Sequence, residues 1–426
     1  MGIKFIHTAD LHLGSNLHLK FDQDIDYKNK FGNPVLDSLK KITKTAIEEN
    51  VDFLIIAGDL FDSDERSVNA LKFFNYEAEK LKKENIPIYL IAGNHDPLND
   101  FHQIFSLNSN VKIFDSENHE TKEYKDENGL KARLIGQSYR GNSDSRKMYS
   151  SFNPPDKGVF NIALLHTQLD PNNNNYVPVS KDDLKEKRKI DYWALGHIHQ
   201  NKIISHEKPV ITYPGIPQGR DFGEKGKKGF YLVELNKNSK AKLDFIYSSN
   251  YIWKEVNITI DENKEVKTID EIIDYLLIKM KDIFNQDNFK YIIRWNLDIY
   301  NIKNEKKYNN EEIEDYILNE LNRKNDQQNY IWSEDCNLNF YRNIPEKSEL
   351  AKKDKLFSDI INFKEKINNN EEVFLELKEK IGDIWQGDSD LENIDEYRFD
   401  FKKEIEEITE NAEKEILNKL WKERGE

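Results

Sequence analysis

The sequence predicts an α/β fold whose first half is a parallel sheet with crossover helices. One observation is that short apolar runs alternate with stretches of helical length over the first half of the chain. A second is that the first three apolar runs each lead into a short polar motif. Because the carboxyl ends of parallel strands share one edge of a sheet, we expect these motifs to meet there.

The first three strands are predicted at Lys4–His7, Asp52–Ala57 and Pro87–Ala92, because each is an apolar run of strand length. Helices are predicted between them, near Pro34–Glu49 and Ser67–Glu84. The proline that opens the first helix suits a first helical turn, where its missing N–H is not needed. The order strand, helix, strand, helix, strand predicts parallel pairing.

Later apolar runs predict further buried strands at Val159–Leu165, Asp191–Leu195, Val210–Tyr213 and Gly229–Leu235. These complete a predicted first domain over residues 1–250. A small α/β domain is predicted over residues 251–342. Its strands are predicted at Tyr251–Ile260, Tyr291–Tyr300 and Gln328–Tyr341, and its helices at Thr268–Phe284 and Asn310–Leu321.

Residues 343–426 are predicted to form a charged helical extension, because the sequence becomes rich in Lys and Glu. An apolar stripe at helical spacing runs through Ile405, Ile408, Ala412, Ile416 and Leu420. Two interpretations stay open: the extension docks a partner, or it packs on the preceding domain.

Length and composition exclude several classes of protein. A chain of 426 residues exceeds the ~100–200 residues of one typical domain. It has no apolar stretch of ~18 residues, so no transmembrane helix is expected. Motif residues begin at His7, which leaves no room for a cleavable signal peptide. Cys336 is the single cysteine, which excludes a disulfide framework, and a reducing cytoplasm is expected.

The net charge of −15 is unevenly distributed. Residues 1–250 contain 35 basic and 35 acidic side chains, which leaves 28 basic and 43 acidic side chains for residues 251–426. A protein that grips nucleic acid with its whole surface should be basic. Any nucleic-acid-binding surface is therefore expected to be a small basic patch.

Five short motifs of histidine and carboxylate residues recur along the first half of the chain. They are Asp10-Leu11-His12, Gly58-Asp59-Leu60-Phe61-Asp62, Gly93-Asn94-His95-Asp96, His166-Thr167 and Gly196-His197-Ile198-His199. Each motif is weak alone, but together they supply a set of donors typical of a metal centre.

The motifs offer seven candidate metal ligands: Asp10, His12, Asp59, Asn94, His166, His197 and His199. Alternation in an extended chain would put the side chains of Asp10 and His12 on one side. Asp59 follows Gly58, which permits a tight turn, and its two oxygens suit it to bridge two ions. The set would serve two ions ~3.5–4 Å apart with open positions for water and a substrate.

The chemistry of the donors limits the choice of metal. Mixed oxygen and imidazole donors without a thiolate favour manganese, iron or zinc, and manganese is our first expectation for the two divalent ions. His7 lies three residues before Asp10. We expect it to support the site rather than to bind an ion.

The order of the motifs resembles that of the calcineurin-like metallophosphoesterases. His7-Thr-Ala-Asp-Leu-His-Leu-Gly14 and Ala57-Gly-Asp-Leu-Phe-Asp62 resemble more narrowly the SbcD-type DNA repair exonucleases. With Tyr213-Pro-Gly-Ile-Pro-Gln-Gly-Arg220, the chain is most similar to their bacterial YhaO-like branch. The resemblance implies a four-layer α/β/β/α sandwich, with residues 251–342 as a small α/β cap and a helical C-terminal tail.

Carried over residue by residue, the resemblance implies separate ligand sets for two ions. One ion would be held by Asp10, His12, Asp59 and His199, and the other by Asp59, Asn94, His166 and His197. His95 would be catalytic and face the scissile phosphate. Asp62, where relatives often carry His, would orient His95.

The resemblance also points to residues near the substrate. Gln218 and Arg220 would lie close to phosphate, although Asp221 stands where the YhaO-like pattern has His. Lys187 and Arg188 belong to a basic run between His166 and His197, and we take them as candidate DNA contacts. Such residues contact phosphates without reading sequence, and a solvated charged surface is the open alternative.

The function that the resemblance implies is a two-metal-dependent DNA nuclease, specifically an exonuclease of DNA repair. The implied partner is a coiled-coil SMC-like ATPase of the YhaN-like or SbcC-like type, and homodimer formation is implied too. The chain has no Gly-x-x-x-x-Gly-Lys-[Ser/Thr] motif, so the ATPase would be a separate polypeptide.

Two other functions stay open. One is a phosphatase or cyclic-nucleotide phosphodiesterase at the same centre. Ser63-Asp64 after Asp62, and Asp96 after His95, disfavour a protein phosphatase, which typically has Arg-Gly and Glu there. The other is a DNA-binding scaffold with a silent site.

Overall fold

The computed structural model describes residues 2–20, 30–62, 67–101, 106–155, 158–172, 175–260, 266, 268–284, 289–300, 309–325, 331–341 and 347–369, with parts of 409–421. The described residues form two compact units. One lies within 1–256, 275–295 and 318–335, and the other within 257–274, 296–317 and 336–426. The division passes through three strands, so it does not test the predicted boundaries after residues 250 and 342, which stay predictions.

The first 250 residues supply two six-stranded sheets. Their strands are β1 (Gly2–Thr8), β2 (Phe53–Ala57), β3 (Ile88–Ile91), β4 (Val111–Ile113), β5 (Glu120–Asp126), β6 (Gly129–Gly136), β7 (Phe160–His166), β8 (Tyr192–Gly196), β9 (Lys202–Ser205), β10 (Val210–Tyr213), β11 (Gly229–Asn236) and β12 (Lys242–Tyr247). The helices are α1 (Pro34–Glu48), α2 (Val68–Lys83), α3 (Leu98–Phe101) and α4 (Lys181–Glu186), with 3₁₀ turns at Met148–Ser151 and Phe222–Glu224.

The first sheet has the strand order β12-β11-β1-β2-β3-β4. Its strands β1 to β4 are parallel, with Phe5 opposite Phe53 and Leu54 opposite Ile88, whereas β11 and β12 are antiparallel. Parallel neighbours need crossover connections, and α1 and α2 supply the first two. The carboxyl ends of β1, β2 and β3 therefore lie along one edge.

The second sheet has the strand order β5-β6-β7-β8-β10-β9. Its four inner strands are parallel, and β5 and β9 complete it as antiparallel edge strands. In the β7–β8 pair, His166 lies opposite Gly196. This register brings the end of β7 beside the chain that continues to His197 and His199.

Apolar side chains fill the space between the two sheets. The ring of Phe5 in β1 lies 5.2 Å from that of Tyr192 in β8, in an edge-to-face arrangement. On the outer face of the first sheet, Ile42 of α1 and Phe74 of α2 belong to one buried cluster. On the outer face of the second sheet, Leu184 of α4 is buried with residues of the turn at Met148–Ser151. The predicted four-layer α/β/β/α fold is thus confirmed.

Sequence signals set the starts of the two long crossover helices. Asn33 Oδ1 accepts the N–H of Leu36 at 3.1 Å, and Pro34 occupies the first turn of α1. Ser67 Oγ accepts the N–H of Asn69 at 3.2 Å at the start of α2. The capped helices begin within one residue of their predicted positions.

The C-terminal part contains a smaller sheet and further helices. In chain order these are β13 (Tyr251–Ile260), α5 (Ile269–Phe284), β14 (Lys290–Tyr300), α6 (Asn310–Asn325), β15 (Ile331–Tyr341), α7 (Lys347–Lys353) and α8 (Lys355–Asn369). The strand order is β13-β14-β15. The predicted strands and helices of this region are therefore present within about four residues of their expected ends.

The described part of the helical extension packs on itself. Leu350 of α7, Phe357 of α8 and Leu417 form a buried cluster, and Leu420 packs against it. Of the predicted apolar stripe, Ile405 and Ile408 lie outside the described residues. Ala412 and Ile416 are exposed, so of the described residues of this stripe only Leu420 packs against the cluster. Within the described residues, no helix is long and apolar enough to cross a bilayer.

Candidate metal centre

The loops that follow β1 and β2 carry three of the predicted ligands. The Asp10 N–H donates to the Gly58 carbonyl and the His12 N–H donates to the Asp59 carbonyl, each at 3.0 Å. The two loops therefore continue side by side beyond the sheet. This pairing holds Asp10, His12 and Asp59 at the carboxyl edge that the topology defines.

Four predicted ligands have a left-handed backbone: φ is 51° at Asp10, 46° at His12, 49° at Asp59 and 98° at His197. The conformation costs on the order of 1–3 kcal/mol at a non-glycine residue and persists where the surrounding structure enforces it, commonly at functional sites. Strand alternation is therefore not what brings Asp10 and His12 together, and that expectation is wrong. β1 ends at Thr8, and the turned backbone beyond it directs both side chains into the site.

Asp10, His12 and His199 form one group of potential ligands. One ligand atom from each lies within 4.8 Å of the others. The Nε2 atoms of His12 and His199 are 3.3 Å apart. The Asp10 carboxylate also accepts the backbone N–H of His197, at 3.0 and 3.1 Å from its two oxygens. Two imidazole nitrogens and a carboxylate thus face one point.

Asn94, His166, His197 and Asp59 form a second group. Asn94 Oδ1 lies 3.0 Å from His166 Nε2 and 3.1 Å from His197 Nδ1. Asp59 Oδ2 lies 3.3 Å from the same nitrogen of His166. The His166 Nδ1–H donates to the Ala57 carbonyl at 2.9 Å, which leaves Nε2 directed to the site. Asp10 also groups with Asp59 and His166, so the division of the ligands between two ions stays a prediction.

Two motif glycines leave the space that ligand side chains occupy. A Cβ on Gly58 would lie 2.2 Å from His166 Nδ1, and Gly58 also has a φ of +97°. A Cβ on Gly93 would lie 2.1 Å from Asp59 Oδ1. Both distances are shorter than any real contact, so the site requires glycine at these positions.

Charge in the centre is concentrated on Asp59 and His166. Burial would raise the pKa of the Asp59 carboxyl, but the charge and hydrogen bond of His166, together with His12 and His95, hold that pKa well below its usual range. Burial would likewise lower the pKa of His166, and the Asp59 carboxylate raises it to about 9. Because metal ligands bind as deprotonated groups, a bound cation would have to displace the His166 proton.

The other buried ligands have pKa values shifted mainly by burial. Burial raises the pKa of Asp10 to about 6. It lowers the pKa of His12 to about 4 and that of His197 to about 3. These two histidines are therefore neutral near pH 7, which is the form that binds metal.

The arrangement fits a pair of divalent cations. Asp10 and Asp59 are both fully buried, and the part of the chain that the structure describes places no lysine or arginine within ion-pair distance of either. Buried carboxylates need a cation or equivalent donors to offset the loss of hydration. Every predicted donor is an oxygen or an imidazole nitrogen, which suits first-row divalent metals.

His95 lies beside the two ligand groups and remains half-buried. Its backbone N–H donates to Asp59 Oδ1 at 2.9 Å, and its ring centroid lies 4.9 Å from that of His12. A ring nitrogen of His95 lies within 4.8 Å of ligand atoms of His12 and Asp62. The imidazole is thus close to the centre and still open to a substrate. The role of Asp62 in orienting it stays a prediction.

Gln218 and Arg220, predicted to lie near phosphate, have buried side chains. Gln218 Nε2 donates to the carbonyls of Gly219 and Tyr251, and its Oε1 accepts the N–H of Asn250. The Arg220 guanidinium donates to protein carboxylates beside the centre. In the structure both side chains hold the loop between β10 and β11, and their contact with phosphate stays a prediction.

The two predicted DNA contacts in the basic run differ in environment. Lys187 Nζ donates to the Ser150 carbonyl at 2.8 Å, and burial lowers its pKa. Arg188 is exposed. Arg188 is therefore the more accessible of the two.

Glu224 and Asp96 are residues beside the centre to which sequence reasoning gave no role. Glu224 Oε1 accepts the Nδ1–H of the predicted ligand His199 at 2.6 Å. Asp96 accepts three backbone N–H groups of the ligand-bearing loops, including that of Gly93 at 2.8 Å. The place of Asp96 directly after His95 was a signal, whereas nothing near Glu224 in the sequence indicated its contact.

His7 is buried among residues of the second sheet. Its Nδ1 lies 2.9 Å from the Tyr192 hydroxyl, and its Nε2 lies 3.1 Å from the Leu195 carbonyl, two residues before His197. Burial lowers its pKa to about 3. The hydrogen bonds of His7 therefore run to the second sheet rather than to a ligand side chain, and its supporting role at the metal site stays a prediction.

Comparisons with known proteins give one family match and several relatives. Residues 3–201 match the family described as calcineurin-like phosphoesterase. The chain is 31% identical over 281 residues to the uncharacterized metallophosphoesterase YhaO of Bacillus subtilis, covering 66% of this chain and 68% of that protein. It is 28% identical over 388 residues to the DNA double-strand break repair protein Mre11 of Methanococcus maripaludis, covering 82% and 96%. Among solved structures, a dimetal phosphatase from Danio rerio is similar with a TM-score of 0.34 and 10% identity, covering 58% of this chain and 98% of that one.

Proposed function

The chain belongs to the calcineurin-like phosphoesterase family, and on that premise we propose that it is a DNA nuclease. Family membership makes it a metal-dependent phosphoesterase with a dinuclear site for divalent ions. The proposal adds that the ions are manganese and that the substrate is a phosphodiester bond of DNA. It further adds that the reaction is exonucleolytic and belongs to DNA repair.

Bound divalent ions would supply Lewis-acid activation of water and neutralise charge on the phosphate. The chain contributes a preorganised set of donors, because the strained backbone at Asp10, His12 and Asp59 fixes their side chains before any ion arrives. His95 then donates a proton to the leaving 3′-oxygen as the phosphodiester breaks. Its half-buried position keeps the imidazole within reach of both the centre and a substrate.

The observation that carries the choice of DNA is the extent of one similarity. The match to the Mre11 repair protein of Methanococcus maripaludis covers 96% of that protein and 82% of this chain. It therefore extends well beyond residues 3–201, which match the phosphoesterase family as a whole. Similarity across the regions outside the centre supports a shared class of substrate.

We propose that exposed basic residues of the run 181–189 contact the DNA backbone, with Arg188 as the first candidate. If Arg188 contacts a phosphate, Arg188→Ala should flatten the slope of log K against log salt by about 0.9 on duplex DNA. The measurement is fluorescence anisotropy at several salt concentrations. An unchanged slope would remove Arg188 from the interface.

We propose that the helical extension docks a coiled-coil ATPase supplied by another polypeptide. Its support is the exposed apolar surface of α8, where Phe363 is 61% exposed. Phe363→Ser should weaken co-purification with that ATPase, whereas Lys366→Ser, an exposed change on the same helix, should not. Equal binding by both variants would reject this docking surface. We also propose that the protein forms a homodimer, and this proposal is supported by family resemblance.

The test of the proposed function is a comparison of substrates. The full-length protein is incubated with Mn²⁺ and end-labelled single- or double-stranded DNA of the same sequence. Parallel reactions contain a generic phosphomonoester and a cyclic nucleotide. We expect release of nucleotides from a DNA end, and little turnover of either small molecule.

The outcomes separate the alternatives. Activity only on the small molecules would favour a phosphatase or cyclic-nucleotide phosphodiesterase and overturn the DNA assignment. DNA binding without cleavage in the presence of bound metal would favour a scaffold with a silent site. An activity that survives Asp59→Asn unchanged would come from a contaminant, because that change removes the predicted shared ligand.

A further inference from the structure

Glu224 holds the predicted ligand His199 from the side away from the centre. Glu224 is 7% exposed, and its Oε1 accepts the Nδ1–H of His199 at 2.6 Å. A histidine that donates its Nδ1–H presents the lone pair of Nε2. Nε2 is the nitrogen that lies 3.3 Å from His12. The contact therefore fixes both the tautomer and the ring orientation that a metal ligand needs.

Asp62 lies behind His12 in a looser contact, which is within ion-pair distance but is not a hydrogen bond. The Nδ1 of His12 lies 3.4 Å from Asp62 Oδ2, while its Nε2 faces His199. Asp62 Oδ2 also accepts the hydroxyl of Ser15 at 2.9 Å. Both histidines of the first ligand group thus have a carboxylate behind them and Nε2 in front.

Arg220 joins the two carboxylates. Its Nη1 donates to Asp62 Oδ2 and its Nη2 donates to Glu224 Oε1, each at 3.0 Å. Its backbone N–H donates to Glu224 Oε2 at 2.7 Å. The side chain is about as buried as those of its partners, and a planar guanidinium fixes the geometry of two acceptors at once.

The second ligand group is held differently. His166 donates its Nδ1–H to the backbone carbonyl of Ala57, and His197 faces Asn94. Among the described contacts, neither histidine hydrogen-bonds Asp62, Arg220 or Glu224. The three residues therefore act on one ligand group only.

We propose that Asp62, Arg220 and Glu224 form a triad, called here the Arg220 triad, that positions His12 and His199. The inference rests on the proposed two-ion centre and assigns the triad to one of its two ions. Loss of the triad should weaken the ion held by His12 and His199 and spare the other. In this proposal Glu224 and Arg220 act on the metal ligands as positioning residues.

The test measures binding of Mn²⁺ alone to the full-length protein by equilibrium dialysis, without any substrate. The wild type should bind two ions. Glu224→Gln and Arg220→Gln should each weaken one ion by roughly 10- to 100-fold, as for loss of a group that supports a metal ligand, and leave the other unchanged. Lys225→Gln is the matched control, because it removes an exposed charge from the same loop and should bind two ions like the wild type.

A second variant guards against misfolding. Arg220→Lys keeps the buried positive charge but offers a single ammonium in place of the two-pronged guanidinium, so it should also weaken one ion selectively. Equal weakening of both ions, or wild-type binding of both by the folded variants, would overturn the inference. If the wild type itself fails to bind two ions, the proposed function fails instead.

Discussion

A substitution of His95 can test the role of this residue in turnover independently of metal binding. It lies beside the ligand groups and remains half-buried. His95→Asn should retain bound metal and lower turnover of a phosphodiester by ~10²-fold or more, because the leaving oxygen loses its proton donor. Turnover and metal content are measured on the same sample.

The control for that change is His206→Asn, which alters an exposed histidine outside the centre and should leave turnover unchanged. Near-normal turnover by His95→Asn with its metal bound would show that another group protonates the leaving oxygen.

A substitution of Gly93 tests whether the metal centre has room for a side chain at this position. Gly93→Ala should weaken metal binding and lower the free energy of unfolding, because the new Cβ would overlap Asp59 Oδ1 at 2.1 Å. Gly141→Ala is the matched control, since nothing lies within 4 Å of a Cβ there. If both variants bind Mn²⁺ like the wild type, Asp59 is not held where the structure places it.

His7 makes folding stability depend on pH. Its ordinary pKa of 6.5 falls to about 3 in the folded protein, because burial disfavours the charged ring. The folded state therefore excludes a proton that the unfolded chain binds. The contribution is complete above pH 6.5 and is lost as the pH falls towards 3, at up to about 1.4 kcal/mol per pH unit.

Urea unfolding of the metal-free protein between pH 7 and pH 4 measures this slope. His7→Gln should make the curve shallower by the contribution of one proton. His206→Gln, an exposed change, should leave it unchanged. Parallel curves for wild type and His7→Gln would mean that the buried ring takes up a proton without cost.

The candidate ligands could be predicted from the sequence because each lies in a short motif near the end of a strand. Asp59 and Asn94 lie two and three residues after the ends of β2 and β3, and His166 ends β7. The residues that hydrogen-bond the ligands could not be predicted from short motifs. Glu224 meets His199 across 25 positions of chain through a tertiary contact that no local spacing encodes. Four left-handed ligand backbones likewise arise from the surroundings rather than from residue type.

At the level of elements, Asp96 ties together the loops after β2 and β3. Its Oδ1 accepts the N–H of Gly93, and its Oδ2 accepts those of Leu60 and Phe61, at 2.8 to 3.1 Å. Burial, and then the charge of Asp59, raise the pKa of Asp96 to about 8. This single side chain therefore fixes the distance between two ligand-bearing loops.

Asp96→Ala should lower the free energy of unfolding by about 3 kcal/mol or more, because three buried donors lose their acceptor at roughly 1–3 kcal/mol each. Asp96→Asn keeps one acceptor oxygen and should lose less. Denaturant unfolding of both variants measures the difference. A loss below about 1 kcal/mol in Asp96→Ala would mean that water replaces the carboxylate.

Strands were predictable where both faces are buried and unpredictable at sheet edges. β2 and β3 are apolar throughout, as central parallel strands are. β5 has the sequence Glu-Thr-Lys-Glu-Tyr-Lys-Asp with alternating exposed positions. It is an antiparallel edge strand, and its many charged residues do not form the apolar run by which the other strands were predicted. The other edge strands, β4, β9 and β12, were also not predicted, and neither was β6, which lies inside the second sheet between β5 and β7. Because these strands were missed, the residue patterns predicted one parallel sheet. The structure instead has two sheets, each with parallel and antiparallel strands.

For the whole molecule, charge and chemistry are separated along the chain. The predicted ligands lie within the first 250 residues, whose charges balance, and the acidic excess lies after them. We therefore expect the protein to bind metal tightly and to contact DNA through a limited surface. This agrees with Arg188 being exposed while Lys187, Gln218 and Arg220 have contacts within the protein.

The most direct test of the central claim is anomalous X-ray scattering from crystals of the full-length protein grown with Mn²⁺. Two manganese peaks are expected ~3.5–4 Å apart, as in two-metal hydrolases. One should be bound by His12 and His199, the other by Asn94, His166 and His197, with Asp59 touching both. A single peak, or peaks away from these residues, would contradict the account.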